Sequence, residues 1–418
     1  GLMKFFYPFF ISAYGILITL VSVFNSKAKL FSRGRKNVFK KLDYWCDMNS
    51  KKIIWFHAAS LGEFEQGRPI LEELGKMRSD HKIILSFYSP SGYEVSKEYQ
   101  GADVIVYLPI DTISNARKFI NMTHPSIAIF VKYEFWPNIL HVLKERSIET
   151  ILVSGIFRAD QVFFKPYGKW MRNSLKSFSH FFVQNQSSES LLKNIGFDNV
   201  TISGDTRFDR VANIVEQKNT LDFLEDFTAD SIVLVAGSTW PSDESQLINF
   251  INQNLHKNLR CIIAPHNINP KEILKLQNAL KCSTSLYSEG PIKKDTKVFI
   301  ADTVGILTKI YSYADIAYVG GGFGKEGIHN ILEPAVFGIP IVIGPVFDKF
   351  EEAKELVQLE GCLVANNETE IFDHLNELIA NNAYRSAKGE ITRNYINQHL
   401  GATKIILDYI ELELEDIS

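Results

Sequence analysis

Residues 314–334 read ADIAYVGGGFGKEGIHNILEP. Ala314–Val319 is a short apolar run of the kind that forms a buried strand. Gly320, Gly321 and Gly322 follow at once, then Gly324, His329, Asn330 and Glu333. A strand that ends in glycines and turns into a helix directs backbone N–H groups at whatever lies beyond it, and a helix N-terminus favours phosphate. Glu333, one turn into the expected helix, could accept hydrogen bonds from sugar hydroxyls. The stretch reads as the strand–turn–helix of a nucleotide-binding unit, placed in the last third of 418 residues.

The same alternation runs outward from it. Before it, apolar strands are expected at 53–58, 82–87, 104–108, 127–131, 150–153, 181–184 and 201–204, with a helix over 65–77. Residues 213–230 are polar and helical in tendency, a plausible linker. Beyond it the pattern restarts, with strands at 231–238, 260–264, 297–300, 316–319 and 339–343. Strands alternating with helices predict an α/β fold with parallel sheets covered on both faces. In such sheets ligands bind beyond the carboxyl ends of the strands. Two halves of this kind imply a cleft between domains. Glu63, Glu134, Arg207, Trp240 and His266 all follow expected strands.

Composition narrows the classes. Hydrophobic residues make up 45% and charged ones 22%, which is ordinary for a globular protein. A net charge of −3 gives no reason to expect nucleic acid as a partner. Cys46, Cys261, Cys282 and Cys362 are widely spaced and suit a reducing compartment rather than a disulfide framework or zinc site. The chain has no Asp-x-Asp pair, no HExxH, no Walker A sequence and no GxSxG elbow, so no metal or resident cofactor is expected. The first 42 residues hold no Asp or Glu. Phe5–Phe24 is 20 residues without a charge, and a basic cluster follows from Lys27 to Lys41. Such a run is just long enough to cross a bilayer, with the rest of the chain in the cytoplasm. Pro8 and Gly15 interrupt it, which suits a helix lying in the interface, and the cluster could hold anionic headgroups.

Each candidate has a plainer reading beside it. Gly322-x-Gly324-x-x-Gly327, with Asp348 21 residues further on, matches a dinucleotide fingerprint. Its late position, and Pro334, Pro340 and Pro345, count against that reading. Glu63 sits in a small-residue turn where a general base would be held, or is an ordinary helix-start glutamate. Glu134 lies beside Trp136 and Pro137, as a site carboxylate held rigid or as a buried residue that fixes its loop. Arg207 could grip a carboxylate or phosphate, or pair with Asp205 or Asp209. His266 is a candidate phosphate or base ligand, or a plain turn histidine.

Five stretches together carry a resemblance: Ser60–Glu63, Glu134–Asn138, Gly204–Asp209, Ala301–Gly305, and Gly320–Gly322 with His329–Glu333. In this order the chain resembles, over essentially its whole length, the 3-deoxy-D-manno-oct-2-ulosonic acid (Kdo) transferases of lipid A biosynthesis. The resemblance implies a GT-B fold, two Rossmann-like domains with parallel sheets facing a cleft. It implies CMP-Kdo as donor, lipid IVA as acceptor, and a site on the cytoplasmic face of the inner membrane, in contact with its lipids. Glu63 then matches the general base, and Glu134 and Arg207 match positions that stabilise the transition state. Pro265, His266, Val304, Gly305, Ile306, Asn330, Ile331, Leu332 and Glu333 match CMP-contacting positions.

This chain departs from many relatives in three places. Arg207 replaces a lysine, Pro265-His266-Asn267 replaces a Pro-Arg-His turn, and Ile306 replaces a glutamate. The expected layout is an N-terminal membrane segment (1–36), an acceptor domain (37–212), a linker (213–230), a nucleotide domain (231–390) and a C-terminal helix (391–418) that packs back on the first domain. The alternatives are a GT-B transferase of a UDP-sugar, and a non-catalytic membrane scaffold of the same fold.

Overall fold

A computed structural model describes residues 2–21, 26–132, 135–255 and 258–416. The chain divides into two compact units, residues 1–210 with 401–418, and residues 211–400.

Unit 1 holds one seven-stranded parallel sheet. Its strands are β1 (Lys52–Ala58), β2 (His81–Phe87), β3 (Val104–Tyr107), β4 (Ile127–Val131), β5 (Glu149–Gly155), β6 (His180–Val183) and β7 (Val200–Ile202). The order is β3-β2-β1-β4-β5-β6-β7, so β1 is an inner strand between β2 and β4 and the chain winds outward from it in both directions. Period-two alternation splits each inner strand between two cores. Ile53 and Trp55 pack into one with Phe119 and Phe130, while Ile54, Phe56 and Ala58 pack into the other with Ile70 and Leu74. Such a strand is apolar throughout because both faces are covered. Gly67 lets the helix Leu61–Met77 lie close on this sheet, since a Cβ there would stand 2.5 Å from the Phe56 ring. The helix Ala402–Asp416 belongs to the same unit, and Ile406, Ile410 and Leu414 join the second core. Asp209 caps it, accepting from the N–H groups of Gly401 and Thr403 at 2.7 Å each.

Unit 2 repeats the architecture with β8 (Ile232–Thr239), β9 (Leu259–Pro265), β10 (Thr284–Leu286), β11 (Val298–Ile300), β12 (Ile316–Val319), β13 (Ile341–Ile343) and β14 (Cys362–Val364). The order is β10-β11-β9-β8-β12-β13-β14, all parallel. Sequence reading misses β10 and β14, the two edge strands. Each is three residues long, and β10, Thr284-Ser285-Leu286, is mostly polar.

Residues 2–21 form one helix with Pro8 inside it. Among the described residues no helix is long and apolar enough to cross a membrane. This helix is held to unit 1 by Tyr7, whose ring meets Trp170 at 5.9 Å and whose hydroxyl donates to Asp111 at 2.8 Å. Phe9, Phe10, Ile16 and Leu17 remain exposed. The next helix, Ser26–Lys36, leaves Lys27, Lys29, Arg33 and Lys36 exposed. Arg35 is instead drawn inward over Phe31 and Tyr88 and donates to the Tyr88 carbonyl at 2.5 Å.

Candidate active site

In unit 1 the candidate residues gather where the strands end. After β1 the chain turns at Ser60, whose extended backbone (φ −142°, ψ −178°) caps the helix Leu61–Met77. Glu63 sits in its first turn, where the macrodipole favours a negative charge. The Ser60 hydroxyl donates to the Glu63 carboxylate. Glu63 is only 8% exposed. That makes it an oriented, nearly enclosed carboxylate rather than a solvated helix-start residue.

One turn further on, Gln66 ties this helix to the segment after β7. The Thr206 hydroxyl donates to the Gln66 carbonyl and lies 3.0 Å from Ser154 Oγ. Asp205 accepts from the Arg207 N–H and, on its other oxygen, from Arg207 Nε and Nη2 at 2.9 and 2.7 Å. Arg207 is therefore a braced, partly exposed cation, and the partner chosen from the two sequence candidates is Asp205. Arg210 pairs with Glu65, which steadies the same contact between helices.

Glu134 lies outside the described residues. The turn that follows it is well anchored. Trp136 packs on Tyr88 with ring centroids 4.4 Å apart, and Phe135 sits among Phe157, Phe163 and Phe178. Asp111 accepts from the N–H groups of Asn138 and Ile139 at 3.0 and 2.8 Å, as well as from Tyr7. Burial raises its carboxyl to a pKa of about 6, against the lowering pull of those donors.

In unit 2 the loops after β8, β9, β11 and β12 leave one edge of a parallel sheet. Three aromatic rings meet there. His266, following β9, stacks on Trp240 at 4.8 Å and on His329 at 4.2 Å. Trp240 Nε1 donates to His329 Nε2 at 2.8 Å. An indole N–H can only donate, so His329 Nε2 is the acceptor and its proton resides on Nδ1. Burial, and then the neighbouring His266, lower the His329 pKa from 6.5 to about 4. The ring is neutral at pH 7, with one N–H to offer.

The glycines of 320–327 serve close packing more than ligand contact. A Cβ at Gly320 would stand 2.3 Å from the Ser238 carbonyl, and one at Gly322 would stand 2.6 Å from Gly344 backbone. Gly321 has φ +99°. Their donors are largely engaged inside the protein. Gly320 N–H bonds the Gly237 carbonyl, Gly324 N–H the Gly321 carbonyl, and Gly321 N–H the Asp243 carboxylate at 2.9 Å. Asp243 is fully buried and also accepts from Trp240 N–H at 2.9 Å and Tyr318 hydroxyl at 2.7 Å. The expectation that the whole glycine run aims its N–H groups at a phosphate is thus corrected for these three. The expected helix also starts late, at Leu332, and ends at Ala335.

The remaining positions separate by exposure. Asn330 is exposed and its side chain accepts from the Leu332 N–H at 2.9 Å. Ile331 and Leu332 are core residues, so only their backbone can meet a ligand. Glu333 is half-buried in the first turn of its short helix, close enough to Tyr311 to help raise that phenol's pKa. Val304 is 79% exposed and Gly305 takes φ +88°, in the loop after β11, and Ile306 caps the next helix. Pro265 closes β9. Sequence reasoning places Trp240 at a strand end and His329 in the glycine run but assigns neither to the site. The signal was their position after β8 and β12; the contact between them depends on the fold.

A sequence model of the 3-deoxy-D-manno-octulosonic-acid transferase family matches residues 33–210. The chain is 29% identical over 338 residues to the 3-deoxy-D-manno-octulosonic acid transferase of Aquifex aeolicus, covering 79% of this chain and 87% of that one. It is 27% identical over 379 residues to the Haemophilus influenzae enzyme, covering 87% of both. Among solved structures, the UDP-GlcNAc 2-epimerase from Neisseria meningitidis bound to UDP-GlcNAc aligns with a TM-score of 0.60. It is 14% identical, with 86% of this chain and 99% of that one covered, a likeness of fold alone.

Proposed function

We infer that this glycosyltransferase of GT-B fold, similar to the 3-deoxy-D-manno-octulosonic acid transferases over most of its length, moves Kdo from CMP-Kdo to the 6′-hydroxyl of lipid IVA with inversion. In this reading Glu63 takes the proton of the acceptor hydroxyl as its oxygen attacks the anomeric carbon of Kdo. The bond from that carbon to the phosphate oxygen breaks, and CMP departs as a phosphate monoester. The observation that carries it is the enclosed Glu63 carboxylate, oriented by Ser60 at the end of the inner strand β1. A base must be held within reach of the proton it removes, and an oriented carboxylate meets that need.

The leaving phosphate gains charge as the bond breaks, so fixed donors must meet it. Arg207 offers a guanidinium braced by Asp205, and the bracing limits the side-chain ordering needed during reaction. Glu333 and the backbone of 330–332 suit the ribose, and the stacked rings of His266 and His329 suit the nucleotide edge. The N-terminal helix supports a membrane role in the interface. Its exposed Phe9, Phe10, Ile16 and Leu17 stand next in the chain to the exposed cations of Ser26–Lys36, a pairing suited to an anionic bilayer on the cytoplasmic side.

Mass spectrometry of the product from lipid IVA and CMP-Kdo tests donor, acceptor and number of sugars together. Calorimetry with CMP against UDP tests the nucleotide, and tighter UDP binding would sink the CMP assignment. A wild-type protein that transfers nothing would favour the non-catalytic scaffold.

A further inference from the structure

A groove of about 710 Å³ runs through unit 1 between the helices Pro137–Glu145 and Lys169–Leu175, bounded also by Tyr7 and Pro8 of the N-terminal helix. That volume lies within the range of about 300–1,000 Å³ usual for ligand pockets. Ile113, Pro137 and the Trp170 ring give it apolar walls. Lys144, Lys176 and His141 also line it, with Glu145 as the one acid. Glu145 is met by Arg117 at 3.7 Å and His141 at 3.9 Å. Among the described residues neither Lys144 nor Lys176 has an ion-pair partner. Trp170 Nε1 is a buried donor without a hydrogen-bond acceptor among the described residues, and buried donors normally have one.

The place of the groove specifies its occupant. At one side Pro8 leads directly into the exposed Phe9 and Phe10 of the face read as membrane-bound. At the other, Pro137 and Asn138 open the helix Pro137–Glu145, three and four residues after Glu134 in the sequence. The groove therefore runs from an apolar surface read as membrane-bound to the start of the helix Pro137–Glu145, with two exposed cations and, on Trp170, a buried N–H that lacks an acceptor among the described residues. We propose that it holds one acyl chain of the phosphorylated lipid acceptor. The chain lies against Trp170, Ile113 and Pro137, a carbonyl of its ester or amide link accepts from Trp170 Nε1, and a phosphate of the same molecule is drawn to Lys144 and Lys176. This rests on the lipid-acceptor reading of the function.

The test fills the groove from its exposed rim. Asn173→Trp, with His141→Trp from the facing helix as a second filler should the first not fold, is assayed against lipid IVA and against its fully deacylated, water-soluble counterpart. The expected result is a KM for lipid IVA raised at least 10-fold, with kcat and the KM for the deacylated acceptor unchanged. Lys144→Ala with Lys176→Ala should raise the lipid IVA KM by a similar factor and make it less dependent on salt than in wild type. An unchanged lipid IVA KM overturns the groove, as does an equal rise for both acceptors in the filled variants Asn173→Trp or His141→Trp. A loss of binding to phosphatidylglycerol vesicles without acceptor, with the KM for detergent-dispersed lipid IVA unaltered, also overturns it, by assigning the groove to bulk lipid. If the wild type transfers nothing, the function is wrong, and equilibrium binding of lipid IVA alone to wild type and Asn173→Trp still decides the groove.

Discussion

Trp240 Nε1 donates a 2.8 Å hydrogen bond to His329 Nε2 across 89 residues of sequence, and His266 stacks beside them. The bond sets the tautomer of His329, and burial keeps the ring neutral with a pKa of about 4. Trp240→Phe keeps an aromatic ring and removes the donor. A protonated His329 then no longer opposes an indole N–H, so its pKa should rise toward 6.5. NMR titration of the His329 ring protons reads this directly, and an unmoved midpoint would mean the hydrogen bond is incidental.

The same ring predicts a pH dependence of stability. Its folded pKa, about 4, is depressed below the ordinary 6.5, so the unfolded chain binds the proton first. The contribution is full above about pH 6.5 and is lost as pH falls toward 4. Urea midpoints at pH 7 and pH 4.5 should differ less in His329→Gln than in wild type.

Asp243 gathers three donors, from Trp240 just after β8, from β12 and from the glycine turn, at a fully buried site. Asp243→Asn turns one acceptor into a donor that faces a donor. Leaving such a group unsatisfied costs about 1–3 kcal/mol. Thermal unfolding should show that loss, and CMP affinity should fall with it as the loops after β8 and β12 loosen.

Glu63→Gln preserves shape and removes the base. General-base contributions are about 10²–10⁴-fold, so Kdo transfer should fall by that factor while calorimetric CMP binding stays unchanged. Transfer at the wild-type rate would exclude Glu63 as the base.

Tyr7→Phe deletes the bond to Asp111 that ties the N-terminal helix to the turn at Asn138. The expected loss is local and about 0.5–1.5 kcal/mol. Hydrogen exchange over residues 8–19 should quicken with the overall Tm nearly unchanged, and a general rise in exchange would contradict a local role.

Much of the fold was legible because covered parallel strands are apolar on both faces. Ile53–Ala58 and Ile127–Val131 announce themselves as runs between turn residues. The edge strands β10 and β14 do not, and in β10 the residues Thr284-Ser285-Leu286 are mostly polar, so no apolar run marks it. For the site, strand ends pointed to Glu63, Arg207 and His266. Whether Arg207 would pair with Asp205 or Asp209 could not be read, because both lie two residues away. The fold turns Asp209 to the amides of Gly401 and Thr403 and leaves Asp205 for Arg207.

By itself the sequence determined the strand–helix alternation, the chemistry available at each strand end, and an N-terminus both apolar and basic, because these are properties of composition and period. The glycine run shows the limit. Its residues allow close backbone approach in any setting, but only the fold decided what would approach. Here it is Ser238, Gly344 and the Asp243 carboxylate, which take up space and donors that a local reading offers to phosphate. The Trp240–His329 bond, the Asp243 cluster and the Tyr7–Asp111 tie join residues 89, 78 and 104 positions apart. A hydrogen bond depends on distance and direction in space, and those exist only once the sheets have brought their strand ends together.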